Sequence, residues 1–258
     1  MFKGFYNLTS GMLTQGKYLD VIANNMSNVP TAGFKTDRYT FSTFQEEMWK
    51  RVGNMDRKYT DLGEQSWITA PSKLYTDYTP GAIEETGQPL DFAIEGVQDD
   101  GYDDLRFFAL ETEDGERIYT RNGNFSLDNE GYLWLSGFGR VLDPQGNTIQ
   151  LVTDHIKSDD NGGLFTENGG FLGRIGVFGF DDPEALEKND YGFFVSDAQG
   201  AVVTDAKIHN GYVERANIDL VEQMTSMIAA ERAYQSAAEV TKIYDDVMKK
   251  STEDVGRL

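Results

Sequence analysis

Apolar residues recur at helical spacing at both ends of the chain and give way between them to short alternating runs. In the first segment Phe5, Leu8, Met12, Leu19, Ile22 and Met26 fall on one stripe, with Gln15 at its polar seam position. Gly4, Gly11 and Gly16 weaken it, each by up to about 1 kcal/mol relative to alanine, so this helix needs outside help. The last segment opens on Asp219 and Glu222, spaced as a capping box. From there Leu220, Val221, Met224, Met227, Ile228, Ala230, Tyr234, Ala237, Val240, Ile243, Tyr244, Val247 and Met248 predict a helix of roughly eight turns.

From about Thr79 to Ala216 the texture changes to runs such as "LDFAIEG", "LRFFALE", "ERIYTRNGNFSL", "GYLWLSG" and "YGFFVSD", separated by turn signals. Asp114-Gly115 and Asn122-Gly123 are dipeptides that tight hairpins prefer because they tolerate positive φ. This predicts an antiparallel β domain. Residues 36–78 carry scattered aromatics (Phe41, Phe44, Trp49, Trp67) without a clean period and read as an extended or partly helical connector.

The junction "ANNMSNVPTAGFK" marks an elbow. Pro30 disfavours helical geometry at Val29, Gly33 supplies a permissive backbone position, and Asn24, Asn25 and Asn28 can bond helix-end backbone groups. The expected layout is therefore a mixed α and β chain: helix and elbow over 1–35, connector over 36–78, central antiparallel β domain over 79–216 and C-terminal helix over 217–258.

Composition narrows the partners. Of 258 residues 43 are acidic and 23 basic, and the formal net charge of −20 opposes binding to nucleic acid or anionic membranes. No cysteine is present, which excludes disulfides, thiolate metal sites and a cysteine nucleophile. The N-terminal stretch lacks an apolar signal core, and no later run approaches membrane-spanning length, so no membrane insertion is expected, and if the protein leaves the cytoplasm it does so without a cleaved signal of the ordinary kind.

Candidate chemistry is sparse. His155 and His209 have no partner at ligand spacing and read as structural or surface residues. The acidic runs Asp99–Asp104 and Ser158–Gly163 lack the ligand alternation of an EF-hand loop, and "GGFLGRIG" lacks the lysine of a phosphate loop. No catalytic, cofactor-binding or metal residue is assigned. A spatially paired set of carboxylates keeps one alternative open, a secreted carbohydrate-active or cell-wall-binding β protein whose helices pack on themselves. The terminal stripes fit either packing within the chain or a core shared among copies.

The segment "GMLTQGKYLDVIANNMSNVPTAGFK" resembles the signature of the bacterial flagellar axial proteins, specifically the rod proteins of the hook–basal body complex, in their distal and proximal kinds. "GAIEETGQPLDFAIEG", "YTRNGNF" with "GYL", and "GYVERANIDLVEQM" through "ERAY" resemble further family segments in the same order. Two stretches depart from the pattern: "VQDDGYDDLRFF" follows Gly96, and residues 151–211 match loosely.

The resemblance implies a non-enzymatic subunit of the flagellar basal body, without cofactors, that stacks helically with copies of itself and carries motor torque to the hook. It further implies other rod and hook proteins as neighbours, passage through the flagellar type III export apparatus, and terminal helices forming a coiled-coil-like inner domain. The assembly interface expected from it comprises Phe5, Leu8, Met12, Leu19, Ile22, Asn24, Asn25, Asn28, Thr31, Gly33 and Phe34 at one end and Leu220, Met224, Met227, Tyr234 and Ile243 at the other.

Overall fold

A computed structural model describes the chain except residues 1, 44–45, 53–58, 67–68, 96–104, 152–155, 190 and 256–258. Phe44, Trp67, His155 and the acidic run 99–104 weighed above lie outside the described residues. The molecule is mixed α and β, and it divides into two compact units. Unit 1 combines residues 1–26, 37–75 and 219–258; unit 2 combines 27–36 and 76–218.

Unit 1 holds both long helices, α1 (Phe2–Ser27) and α2 (Leu220–Val255). Asp219 caps α2, its Oδ1 accepting from the N–H groups of Val221 at 2.9 Å and Glu222 at 3.1 Å. The helices lie antiparallel. Gly4 faces the ring of Tyr244, Met12 Sδ lies 3.7 Å from Thr241 Oγ1, and Gly16 faces the ring of Tyr234. A Cβ at either glycine would meet its tyrosine ring at ordinary van der Waals distance, 3.7 Å at Gly4 and 4.0 Å at Gly16, so packing against α2 does not require glycine at these two positions.

The connector is extended throughout its described residues, and the partly helical reading is not met there. Strands Asp37–Thr43 and Thr69–Thr76 pair, and Glu46–Val52 pairs antiparallel with Tyr59–Ser66, in register from Glu46↔Ser66 to Val52↔Tyr59 with a bulge after Trp49. Its sequence lacks a period because narrow two-stranded ribbons need no continuous apolar face to satisfy their backbones. Aromatic residues anchor the first strand, since Tyr39 and Phe41 close on Tyr18 of α1 with ring centroids 6.5 and 5.5 Å away.

Unit 2 is the predicted antiparallel β domain. Its central strand, Arg106–Glu111, pairs along one edge with Arg117–Thr120, and shares its other edge between Gly139–Val141 and Val177–Gly179. Phe108 and Leu110 face one apolar cluster with Phe92, Leu133, Val141 and Ile175; Phe107 and Ala109 face a second with Tyr78, Tyr119, Phe178 and Phe194. The uninterrupted run "RFFALE" follows from this burial on both faces.

Six connections in unit 2 share one turn chemistry. Asp128, Asp143, Asp159 and Asn189 each accept, through a side-chain oxygen, the N–H groups two and four residues on, and Thr112 and Thr166 accept the N–H four residues on. The residue three on is always a glycine at φ between 75° and 87°. Asp114-Gly115 is one of these turns, as predicted. Asn122-Gly123 is not: Gly123 has no positive φ, and a Cβ there would collide with the carbonyl oxygen of Phe92. Close backbone approach, not turn geometry, selects that glycine.

Candidate assembly interface

Residues 24–36 are built in two steps. Within unit 1 the buried Asn25 side chain pairs with the backbone of Asp37 as a neighbouring strand would, Nδ2 donating to the carbonyl at 2.9 Å and Oδ1 accepting from the N–H at 3.1 Å. The helical pattern ends at Ser27, and residues 27–36 then join the β domain. Thr31 closes a turn on Asn28, by N–H to carbonyl at 3.0 Å and hydroxyl to Oδ1 at 3.3 Å. Gly33 takes φ 67°, and a Cβ there would collide with the Arg121–Asn122 peptide. Phe34 is buried under the ammonium of Lys188, 3.9 Å above its ring.

Behind this turn lies an ionic cluster with almost no exposure. Glu214 Oε1 accepts from Lys35 Nζ at 2.7 Å and from the Gly81 N–H at 2.9 Å, while Oε2 sits 3.4 Å from Arg121 Nη1. Lys35 Nζ also donates to the Thr79 carbonyl at 2.8 Å. The Glu214 backbone carbonyl accepts from the Gly33 N–H at 2.7 Å, and a Cβ on Gly81 would collide with the Arg215 carbonyl. Two cations on one carboxylate, away from water, couple four distant parts of the sequence, because removing Glu214 would leave Lys35 and Arg121 buried together without their counterion.

The expected interface residues separate by exposure. Ile22, Asn25, Gly33 and Phe34 are buried inside the chain; Leu8, Met12, Leu19, Asn28 and Met227 are half-buried; Phe5, Asn24, Thr31, Leu220, Met224, Tyr234 and Ile243 are exposed. Tyr234 also rests against Gly16. Further exposed apolar residues continue along both helices: Tyr6 and Leu13 on α1, and Val221, Ile228, Val240 and Val247 on α2. Sequence reasoning passed over Lys35, Gly81, Arg121, Glu214 and Asn217 as site residues, although each sits in a segment that carries the family resemblance.

Among the described residues Tyr39, Asp128 and Arg140 have displaced acidities, Arg140 being raised by its bonds to Glu130 and Asp128. Burial raises Tyr39, whose ring packs against Tyr18 and Phe41 and whose hydroxyl is buried. Asp128 titrates below its ordinary range: burial opposes this, but the N–H groups of Tyr132 and Glu130 and the Arg140 guanidinium together outweigh it. Asp159 of the run 158–163 serves its turn, and among the described residues no three histidine or acidic side chains gather as a metal site. No helix among the described residues is long and apolar enough to cross a membrane.

The β unit has apolar clusters of its own, and the helices of the other unit carry exposed apolar residues. Three family descriptions match along the chain: "flagella basal body rod protein" at residues 5–35, "flagellar hook protein FlgE/F/G D1 domain" at 105–160 and "flagellar basal body rod FlgEFG protein C-terminal" at 209–253. The flagellar basal-body rod protein FlgG of Bacillus subtilis is 30% identical over 97% of this chain and 98% of its own. FlgF, a basal-body rod protein of Caulobacter vibrioides, is 29% identical over the whole of both chains, and the B. subtilis hook–basal body complex protein FlhO is 27% identical over the whole of both.

The chain belongs to the flagellar basal-body rod protein family. It is a structural subunit of the flagellar basal body and not an enzyme. The carbohydrate-active or cell-wall-binding alternative has no support among these relatives.

Proposed function

We propose that the subunit polymerises helically with copies of itself through its terminal helices and so transmits motor torque toward the hook. In this reading residues 1–35 and 217–258 make a coiled-coil-like inner domain, 36–78 a connector and 79–216 an outer β domain. The neighbours at the ends of the polymer are other rod and hook proteins, and the subunit reaches its place through the flagellar type III export apparatus. The sixteen interface residues act in two ways: exposed helix positions meet neighbouring copies, and the buried residues of the elbow fix how each arm leaves the β domain.

The observation that carries this reading is the exposure of large apolar side chains on α1 and α2, with Leu13 at 59%, Val221 at 73%, Ile243 at 61% and Val247 at 60%. Each such side chain contributes about 1.5–3 kcal/mol when fully covered, so the helices strongly favour a partner surface. Val221 and Ile243 are good probes because their exposure separates assembly from folding. Sedimentation velocity of the full chain over a range of concentrations should show polymers, whereas Val221→Asp and Ile243→Asp should remain monomers with unchanged circular dichroism. Variants that polymerise like the parent would sink the proposal.

A further inference from the structure

Chain passes between the two units after residues 26, 36, 75 and 218. Inside unit 2, one half-exposed residue, Asn217, lies beside the last of these passages, and its side chain bonds to the segments beside two others. Its Oδ1 accepts from the Thr36 N–H at 2.7 Å and the Thr36 hydroxyl at 2.7 Å. Its Nδ2 donates to the carbonyls of Asp77 at 2.8 Å and Thr79 at 3.1 Å, and to the Thr79 hydroxyl at 3.2 Å. Backbone bonds close the same triangle: Asp77 N–H to the Thr36 carbonyl at 2.8 Å, and Asn217 N–H to the Phe34 carbonyl at 3.4 Å.

The chemistry fits only an amide. Thr36 presents donors and Asp77 and Thr79 present carbonyls, so the side chain must accept on one side and donate on the other. Aspartate would lack the donors, and serine lacks the reach. Asn217 belongs to neither apolar cluster, so its bonds are not spent on closing the core.

We infer that Asn217 is the positioning residue that makes the three passages one joint, so that load carried along any of them is shared by all three. This rests on the torque-bearing reading above, but its first test does not require polymers. In the full-length protein, Asn217→Ala, which removes acceptor and donors alike, should raise amide exchange at Asp77 and Thr36 by about tenfold while leaving strand Arg106–Glu111 protected. Thr36→Val keeps the side-chain volume, removes only the hydroxyl bonds, and should raise the same amides less; it serves if the alanine variant fails to fold.

Electron micrographs then supply a readout that loss of stability alone would not move. Polymers of either variant should have a shorter persistence length than the parent, under conditions where monomer melting is unchanged. Unaltered exchange at Asp77 and Thr36 in both variants would overturn the joint itself. Altered exchange with unaltered stiffness would overturn load sharing. A parent chain that forms no polymer under any condition would remove the torque reading, and load sharing with it, leaving the exchange result to decide the joint alone.

Discussion

At the scale of the residue, the elbow is held by groups with no freedom to change. Gly33 needs a positive φ, which costs other residues roughly 1–2 kcal/mol, and its missing Cβ is what lets the Arg121–Asn122 peptide approach. Gly33→Ala should therefore destabilise unit 2 by more than the conformational cost alone, read as a lower denaturant midpoint at unchanged slope. Glu214→Gln should cost more, about 3–5 kcal/mol, since Lys35 and Arg121 would share a buried site without their counterion. A loss below about 1 kcal/mol in chemical denaturation would mean that water reaches the cluster in solution. Sequence reasoning recognised Gly33, Phe34 and the asparagines as punctuation. It passed over the ionic cluster because Lys35 and Glu214 are 179 positions apart, and a lysine closing one motif gives no sign of a glutamate inside another.

At the scale of the element, caps and turns were legible and pairings were not. Asp219 announced the start of α2 because an N-cap is a local arrangement, and Asp114-Gly115 announced its hairpin for the same reason. The connector's extended backbone is among the readings of its sequence, but its strand pairing is not, because pairing leaves no periodic trace in a polar ribbon. The hairpin at Asp128 makes a prediction of its own. Its carboxylate accepts from Glu130 and Tyr132 N–H groups and from Arg140 Nε at 2.9 Å, and these bonds favour the charged form. Because the folded-state acidity lies below the ordinary value, the stabilisation is complete above the unfolded-state pKa and disappears as pH falls through the folded one. Carbon-detected NMR should place the Asp128 midpoint below 3.8, and a midpoint at or above it would show that burial dominates instead.

At the scale of the molecule, the amphipathic ends and the β texture between them were visible in the sequence, but the division of charge required the fold. Unit 2 contains 28 acidic and 10 basic residues, a formal −18, whereas unit 1 contains 15 and 13, a formal −2. The helices that carry the open apolar faces thus belong to a nearly neutral unit, and almost all of the net charge lies in the β unit. Copies brought together through their helices would also concentrate these anionic units, and that repulsion opposes association over a Debye length of about 10 Å at 0.1 M salt but only about 3 Å at 1 M. Polymerisation followed by light scattering should consequently rise steeply with sodium chloride below about 0.3 M and then level off, because screening saturates once the Debye length is shorter than the spacing between charges. A purely apolar association would instead strengthen gradually with salt and would respond more to sulfate than to chloride. Replacing Glu113, Asp114 and Glu116 of one exposed loop by glutamine, asparagine and glutamine should shift the chloride midpoint downward without altering the plateau. A midpoint indifferent to those charges would show that the anionic unit has no part in controlling assembly.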